Sequence, residues 1–248
     1  MSVARTLSSA SLALALLWVP ARAQAPAPHV TSPAPADELQ RISSSITVLR
    51  ELTSTPDDSI PQSLLQRAEA IVVIPTLVKG GFIVGAKHGR GIMSARAAGT
   101  RQWSLPMFVT MTGGSIGWQI GVQSVDLVLL VMNPSGVSSL LDDKFTIGGT
   151  LSASAGPVGR SAEASTDAKL NSQILAYSRA KGLFAGATIE GSALHPDKEA
   201  NRDFYGETVD IRGLSSVTRV EPDMPAAISD WHSLLASFDS ADLQSRER

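Results

Sequence analysis

The sequence predicts a β-rich α+β fold: a single domain with an antiparallel, barrel-like core, helices before it and a helix after it. Two observations carry that expectation. Apolar residues recur at helical spacing near both ends of the chain, whereas the middle alternates, or runs apolar, over short glycine-punctuated stretches at strand spacing. No repeat with a period of about 20–50 residues is visible, so the sheet is one unit rather than an array.

In chain order, the first segment reads as a cleavable export signal. Arg5 supplies a short positive region, Leu7 to Val19 is largely apolar, and Ala21-Arg22-Ala23 forms a small-x-small cleavage pattern. The mature chain is therefore expected to start at Gln24. The apolar run falls short of the roughly 20 residues that a membrane span needs. Cleavage removes Arg5 and Arg22 and no acid, leaving 19 basic against 23 acidic residues, a net charge of −4. The sequence has no cysteine, which excludes disulfides, thiolate metal sites and a lipid-modified N-terminal cysteine. A soluble periplasmic or secreted protein is expected, not a lipoprotein. The acidic balance gives no footprint for nucleic acid. Residues 24–36, rich in Ala and Pro, read as a disordered tether, residues 37–240 as the domain, and residues 241–248 as a flexible tail.

Leu39, Ile42, Ile46 and Leu49 follow Asp37-Glu38 at helical spacing, so the first helix has acids at its positive N-terminal end. Its stripe is expected to pack onto the sheet rather than to enter lipid. Pro61 sits early in a second helix, which runs to about Ala68. From Ile71 the pattern is strand. Ile71 to Pro75 and Lys79 to Gly85 read as two strands joined by a turn. Further strands are expected over Ile116–Gln123 and Val125–Met132, with a turn at Asn133–Gly136 and a short helix over Val137–Asp143. Phe145 to Pro157 reads as a strand of small residues. Ile174–Ser178 and Leu183–Gly191 flank Arg179-Ala180-Lys181-Gly182 as a hairpin. Asp197–Tyr205 and Ala226–Phe238 read as helices.

Charge is distributed unevenly along this order. Between Glu69 and Asp126 there is no acidic residue, yet the segment carries Lys79, Lys87, Arg90, Arg96 and Arg101. A local excess of cations attracts anions even on a molecule that is negative overall. Gly80, Gly81, Gly85, Gly89 and Gly91 lie among them. Glycine lets backbone N–H groups approach a phosphate, and it equally allows tight sheet packing. The five cations are candidate headgroup contacts, and the glycines candidate backbone contacts or packing residues.

Six ordered segments resemble the SYLF, or Ysc84-like, domain. They are Ala68–Gly91, Trp103-Ser104-Leu105-Pro106, Gly114–Met132, Lys144–Ala155 with its paired glycines, Tyr177–Gly186, and Asn201–Gly206. Together they cover roughly residues 40 to 210. The resemblance implies binding of anionic phospholipid headgroups, phosphoinositides in eukaryotic members, with actin bundling in some fungal ones. It implies no enzymatic activity and no cofactor. The eukaryotic members carry SH3 or FYVE modules that this sequence lacks. The expected partner is an anionic membrane surface, contacted peripherally. The competing reading is a cell-envelope structural or interaction protein that self-associates or docks through the small-residue stretch Gly148–Gly156.

Other patterns point to chemistry less well. Gly113-Gly114-Ser115-Ile116-Gly117 fits the G-x-S-x-G pattern of a hydrolase, but that serine needs a strand, a sharp turn and a helix, and here it runs into an alternating strand. Gly80 and Gly85 have P-loop spacing, but Ala86 stands where the lysine belongs. His195-Pro196-Asp197 matches a cochaperone tripeptide outside its helical context. His29, His88, His195 and His232 are too scattered for a metal site. Asp126, inside an apolar strand, is a buried polar candidate that must be hydrogen-bonded or paired.

Overall fold

The computed structural model of the chain describes residues 28, 30–54, 59–141, 145–147, 152–158, 173–180, 183–185, 189, 191–207 and 209–246. Residues 1–23, read above as an export signal, residues 24–27 and 29 of the stretch read as a tether, and residues 148–151 of the small-residue stretch lie outside them. Helices α1 (Ala36–Ser54) and α2 (Gln62–Arg67) precede two long strands, β1 (Ala70–Ala95) and β2 (Met107–Val131). Then follow α3 (Pro134–Leu140), β3 (Phe145–Thr146), β4 (Ala153–Ala155), β5 (Ile174–Ala180), β6 (Leu183–Ala185) and β7 (Ser192–Pro196). Helices α4 (Lys198–Tyr205), α5 (Ile211–Leu214) and α6 (Ala226–Arg246) complete the order. The expected α+β architecture with a barrel-like sheet is present as a seven-stranded curled half-barrel with β2 at its centre. All pairings are antiparallel except β4 with β5.

The expected strand–turn–strand after Ile71 is instead one continuous strand. β1 pairs with β2 from Ala70↔Val131 to Met93↔Met107, with register irregularities at Ile74/Leu77 and Gly81/Ile83. The proline and glycines bend the strand without breaking its ladder. At the first irregularity Pro75 and Thr76 oppose Asp126 alone, a bulge in which Thr76 takes φ +62°. The two runs separated at Gln123 in the sequence reading are likewise both part of β2.

Beyond the bends β1 comes back against itself. A Cβ on Gly91 would lie 1.9 Å from the Val73 carbonyl oxygen, and one on Gly89 would lie 2.6 Å from Ile74 Cγ2. Only glycine lets the two halves of the strand meet this closely. Both faces of the sheet are buried there: Ile74 and Leu129 on the inside of the curl, Ile71, Phe108, Leu175 and Tyr177 on the other side. Among the described residues, Gly114–Val125 of β2 pairs with β1 alone, while β7 and β5 join β2 on either side.

Helix α1 buries Ile42, Ile46, Leu49 and Leu52 against β1 and α6, so its apolar stripe faces protein. Helix α3 starts at Pro134 rather than in the expected Val137 region. Asn133 Oδ1 accepts the Gly136 N–H at 2.7 Å, and the proline occupies the first turn, so Asn133–Gly136, read as a turn, is a capped helix start. The expected strand over Phe145–Pro157 is two short pieces, β3 and β4. One of its small residues has a visible reason just beyond β4, where a Cβ on Gly156 would lie 2.1 Å from Tyr177 Cζ. Strand β7 was not anticipated; it crosses β2 where Gly113 lies against the Ser192 backbone. Helix α6 runs past Phe238 through residues 241–246, which the sequence reading left as tail.

Asn201 on α4 acts as a surrogate strand. Its Oδ1 accepts the Phe108 N–H at 2.9 Å and its Nδ2 donates to the Phe108 carbonyl at 2.8 Å. On α6, Trp231 is fully buried and donates from Nε1 to Ser94 Oγ at 2.9 Å. Burial lowers the pKa of the neighbouring His232, and a hydrogen bond to the Ser104 backbone opposes that shift in part.

Two outcomes test this architecture. Gly91→Ala is expected to cost about 3 kcal/mol by forcing backbone apart, whereas Gly114→Ala, with nothing within 4 Å of its added Cβ, should stay within about 0.5 kcal/mol; chemical denaturation measures both. For His232, the unfolded chain binds the proton more tightly than the folded one, so stability rises with pH. Its contribution should be fully present above the ordinary histidine value of 6.5 and decline as pH falls below it. Melting temperatures of wild type and His232→Leu between pH 7.5 and 5 check this, the variant having the shallower slope.

Candidate functional site

Opposed residues of an antiparallel pair share a face, and faces alternate along each strand. Gly89 and Leu77 face each other across the curl, and the register runs unbroken from Leu77 to Gly81 and from Ile83 to Met93. Lys79 and Gly81 therefore face inward with Leu77, and Gly85 and Lys87 with Gly89. The two lysines come from opposite limbs of one bend. Opposite them in β2 stand Gln123, partner of Lys79, and Gly113, partner of Lys87.

Electrostatics agree with that placement. Burial lowers the Lys79 pKa. Burial, and then the nearby Lys79 charge, lower that of Lys87, which is only 8% exposed. Like charges held together at a partly dehydrated place make a standing attraction for an anion. Gly81 and Gly85 flank the bend and keep exposure, leaving their backbone accessible.

The other candidates have different fates. Arg90 is exposed on the outer face, near enough to Asp197 to help lower that carboxyl's pKa. Asp197 also caps α4, and its Oδ2 accepts from Arg41 Nη1 at 2.9 Å. Arg96 is no surface cation. It is buried, its guanidinium lies 4.0 Å over the Trp103 ring, and it pairs with both oxygens of Asp239 on α6 at 2.7 and 3.1 Å. It also donates to the carbonyls of Ala68 (3.0 Å), Gln66 (3.2 Å) and Arg101 (2.5 Å), so its donors are spent inside the fold. Arg101, with a side chain 59% exposed, lies in the same region beside Glu69 and the Gln66 carbonyl. The five cations thus divide into three groups, and only Lys79 and Lys87 converge. Of the five glycines, Gly89 and Gly91 are closed off by the curl, and Gly80 lies on the outer face.

Asp126 is less buried than its sequence context suggests, its side chain retaining 25% exposure. Its Oδ1 accepts the N–H of the left-handed Thr76 at 3.2 Å, and its Oδ2 accepts from Arg179 Nη2 at 3.1 Å. Arg179 also pairs with Glu51 of α1. The carboxylate thereby holds the bulge and ties two strands to a helix. Charge–hydrogen bonds of this sort offset the cost of an L-residue with positive φ.

Catalytic patterns find no support in the backbone. Ser115 lies within β2 opposite Gly85, so the strand–turn–helix that a nucleophile requires is absent there. Gly80 to Lys87 is continuous strand rather than a phosphate loop entering a helix. His195 and Pro196 end β7, with His195 Nε2 3.4 Å from Thr112 Oγ1. Among the described residues no group of three His, Asp or Glu side chains could hold a metal, and no helix is long and apolar enough to cross a membrane. Sequence reading missed Gln123, Val78 and Val122 around the bend. Alternation marks their faces, but the bulges that reset it leave no trace in composition.

A family model described as Ysc84, Las17-binding protein actin regulator, matches residues 112–237. LAS seventeen-binding protein 3 of Saccharomyces cerevisiae is 38% identical over 185 residues, covering 73% of this chain and 39% of that protein. Protein YSC84 of the same organism is 40% identical over 171 residues, 67% of this chain and 36% of that protein. SH3 domain-containing YSC84-like protein 1 of Homo sapiens is 31% identical over 215 residues, 84% and 61% respectively. The chain therefore spans less than two thirds of the length of each of these relatives.

The division of the cations has a measurable consequence. Arg96→Met, which strips buried carbonyls and Asp239 of their partner, is expected to cost about 3 kcal/mol. Arg101→Met, losing an exposed pair, should cost less than about 1 kcal/mol. Denaturant titrations of the two variants make the comparison.

Proposed function

The chain belongs to the Ysc84 family, and from that premise we propose that it is a non-enzymatic module that binds anionic phospholipid headgroups at a membrane surface. The observation that carries this reading is the convergence of Lys79 and Lys87 at one bend, within a segment free of acidic residues from Ala70 to Val125. A phosphate placed there would relieve the repulsion between the two ammonium groups and accept their hydrogen bonds. The partly exposed backbone at Gly81 and Gly85 would let it approach. Lys79 and Lys87 are the headgroup contacts in this reading, with Arg90 a peripheral contributor. Arg101, in the connection beyond β1, sits beside Glu69 rather than at the bend, and Arg96 serves the fold. Each lysine near an anionic surface contributes about 1 kcal/mol. Residues 1–23 would direct export, placing this contact on a periplasmic or extracellular lipid surface.

A second reading draws on the relatives. The yeast protein's name describes binding to a protein, LAS seventeen, and the family description names an actin regulator. Read onto this chain, those names favour a protein partner.

Co-sedimentation with vesicles decides between them. The purified protein is expected to pellet with phosphatidylglycerol- or cardiolipin-containing vesicles, and not with phosphatidylcholine alone. Salt at 0.5 M should release it by screening. Lys79→Gln combined with Lys87→Gln should weaken pelleting about tenfold while the melting temperature stays within a few degrees. Binding should also fall as pH rises toward the lowered lysine pKa values, because only the ammonium form attracts phosphate. Absence of pelleting at any salt would shift the assignment to the protein-partner reading.

A further inference from the structure

We propose that the two-stranded arm carrying the lysine bend is a membrane wedge, whose outward face enters the headgroup–acyl boundary of an anionic bilayer through Val78 and Val122. This rests on the lipid reading above and adds an apolar component to it.

Val122 at 80% and Val78 at 40% are the two large hydrophobic residues left exposed among the described residues. They share one face. Val78 pairs with Ser124 and Gly80 with Val122, so the four residues lie side by side on the outside of the bend. Gly80 keeps the patch open, since a Cβ there would touch Val122 Cγ2 at 3.7 Å. A valine exposed to this degree is unfavourable in water, and two on one projecting ribbon mark a contact surface rather than scatter.

The choice of a bilayer over another occupant follows from what surrounds the valines. Lys79 and Lys87 stand on the inner face of the same arm, one residue out of phase with Val78 and Val122, and no acidic residue lies between Glu69 and Asp126. An arm that seats its outer valines at the acyl boundary carries the half-buried Lys79, on the face behind them, to headgroup level, and no carboxylate on either strand of the arm repels a phosphate. That pairing matches the layered chemistry of a lipid interface, apolar beneath and anionic above. The arm is also the longest part of β2 that no third strand pairs with among the described residues. It can therefore enter an interface without disturbing the core.

The test separates insertion from binding. The sequence has no cysteine, so Val122→Cys in the full chain accepts a single environment-sensitive fluorophore, and Arg219→Cys, on a side chain 81% exposed, serves as the remote control. Both labelled proteins are mixed with phosphatidylcholine–phosphatidylglycerol vesicles, and pelleting and emission are read on the same samples. The expected result is a blue shift at position 122 and none at 219. Unlabelled Val122→Asp should pellet about tenfold less than wild type at unchanged melting temperature. Pelleting with an unshifted label at 122, or with Val122→Asp equal to wild type, overturns insertion and leaves headgroup binding standing. No pelleting by wild type overturns both. A shift at 122 that grows with protein concentration in the absence of vesicles assigns the face to a second copy of the chain and also overturns the proposal.

Discussion

The fold depends on one close approach: backbone against backbone where Gly91 meets Val73. A flat ribbon of strands 26 and 25 residues long would leave both faces of β1 and β2 exposed, whereas a curled one encloses a core. Interior density tolerates no gap the size of a side chain at such a crossing, and no extra methyl either. Every other element is placed relative to that closure. Helices α1 and α6 cover the outside of the curl and β5 and β7 extend it from β2, while among the described residues Gly114–Val125 between them pairs with β1 alone.

Electrostatics in this protein are decided by position along β1 more than by charge. Arg96, near the strand's end, has an aromatic ring, a carboxylate and three carbonyls around it, and acts as a tie between β1, α2 and α6. Arginine suits that place because its planar fork satisfies several acceptors at once and is less strongly hydrated than an ammonium. Lys79 and Lys87, at the bend, are partly dehydrated and set against each other instead. Cations of one strand are therefore satisfied inside the fold at its end and drawn together in its middle.

Much of this was legible in the sequence, for identifiable reasons. The end helices were marked by period, the first also by acids at its first turn, and the second half of β2 by its apolar run. The α+β class followed from these. The acid-free segment pointed to the right stretch of chain. What could not be read was its division. Arg96 and Lys87 look alike in one dimension, and only the return of β1 and the arrival of Asp239 from a helix far along the chain separate them. The bulge at Pro75-Thr76 was hidden similarly, because threonine at positive φ is made tolerable by Asp126, fifty residues away in sequence. β7 was missed because five residues of mixed character carry no period until β2 supplies a ladder.

The register of the two long strands bears on how the molecule assembles. Residues 96–106 join their near ends, where Arg96 bridges Trp103 and Met93 pairs with Met107. Each successive pair outward lengthens the closed loop by only a few residues, and chain-closure entropy grows slowly with length. Pairing can therefore spread by zippering from this connection toward Ala70 and Val131, with no single distant contact to be found by search. Closure of the curl requires both limbs of β1 to be in place, so it comes after the zipper has passed the bend. The ribbon is made as a local, fast-forming unit and acquires its three-dimensional shape afterwards. In kinetic terms, a protein dominated by long strands behaves in its first step like a hairpin.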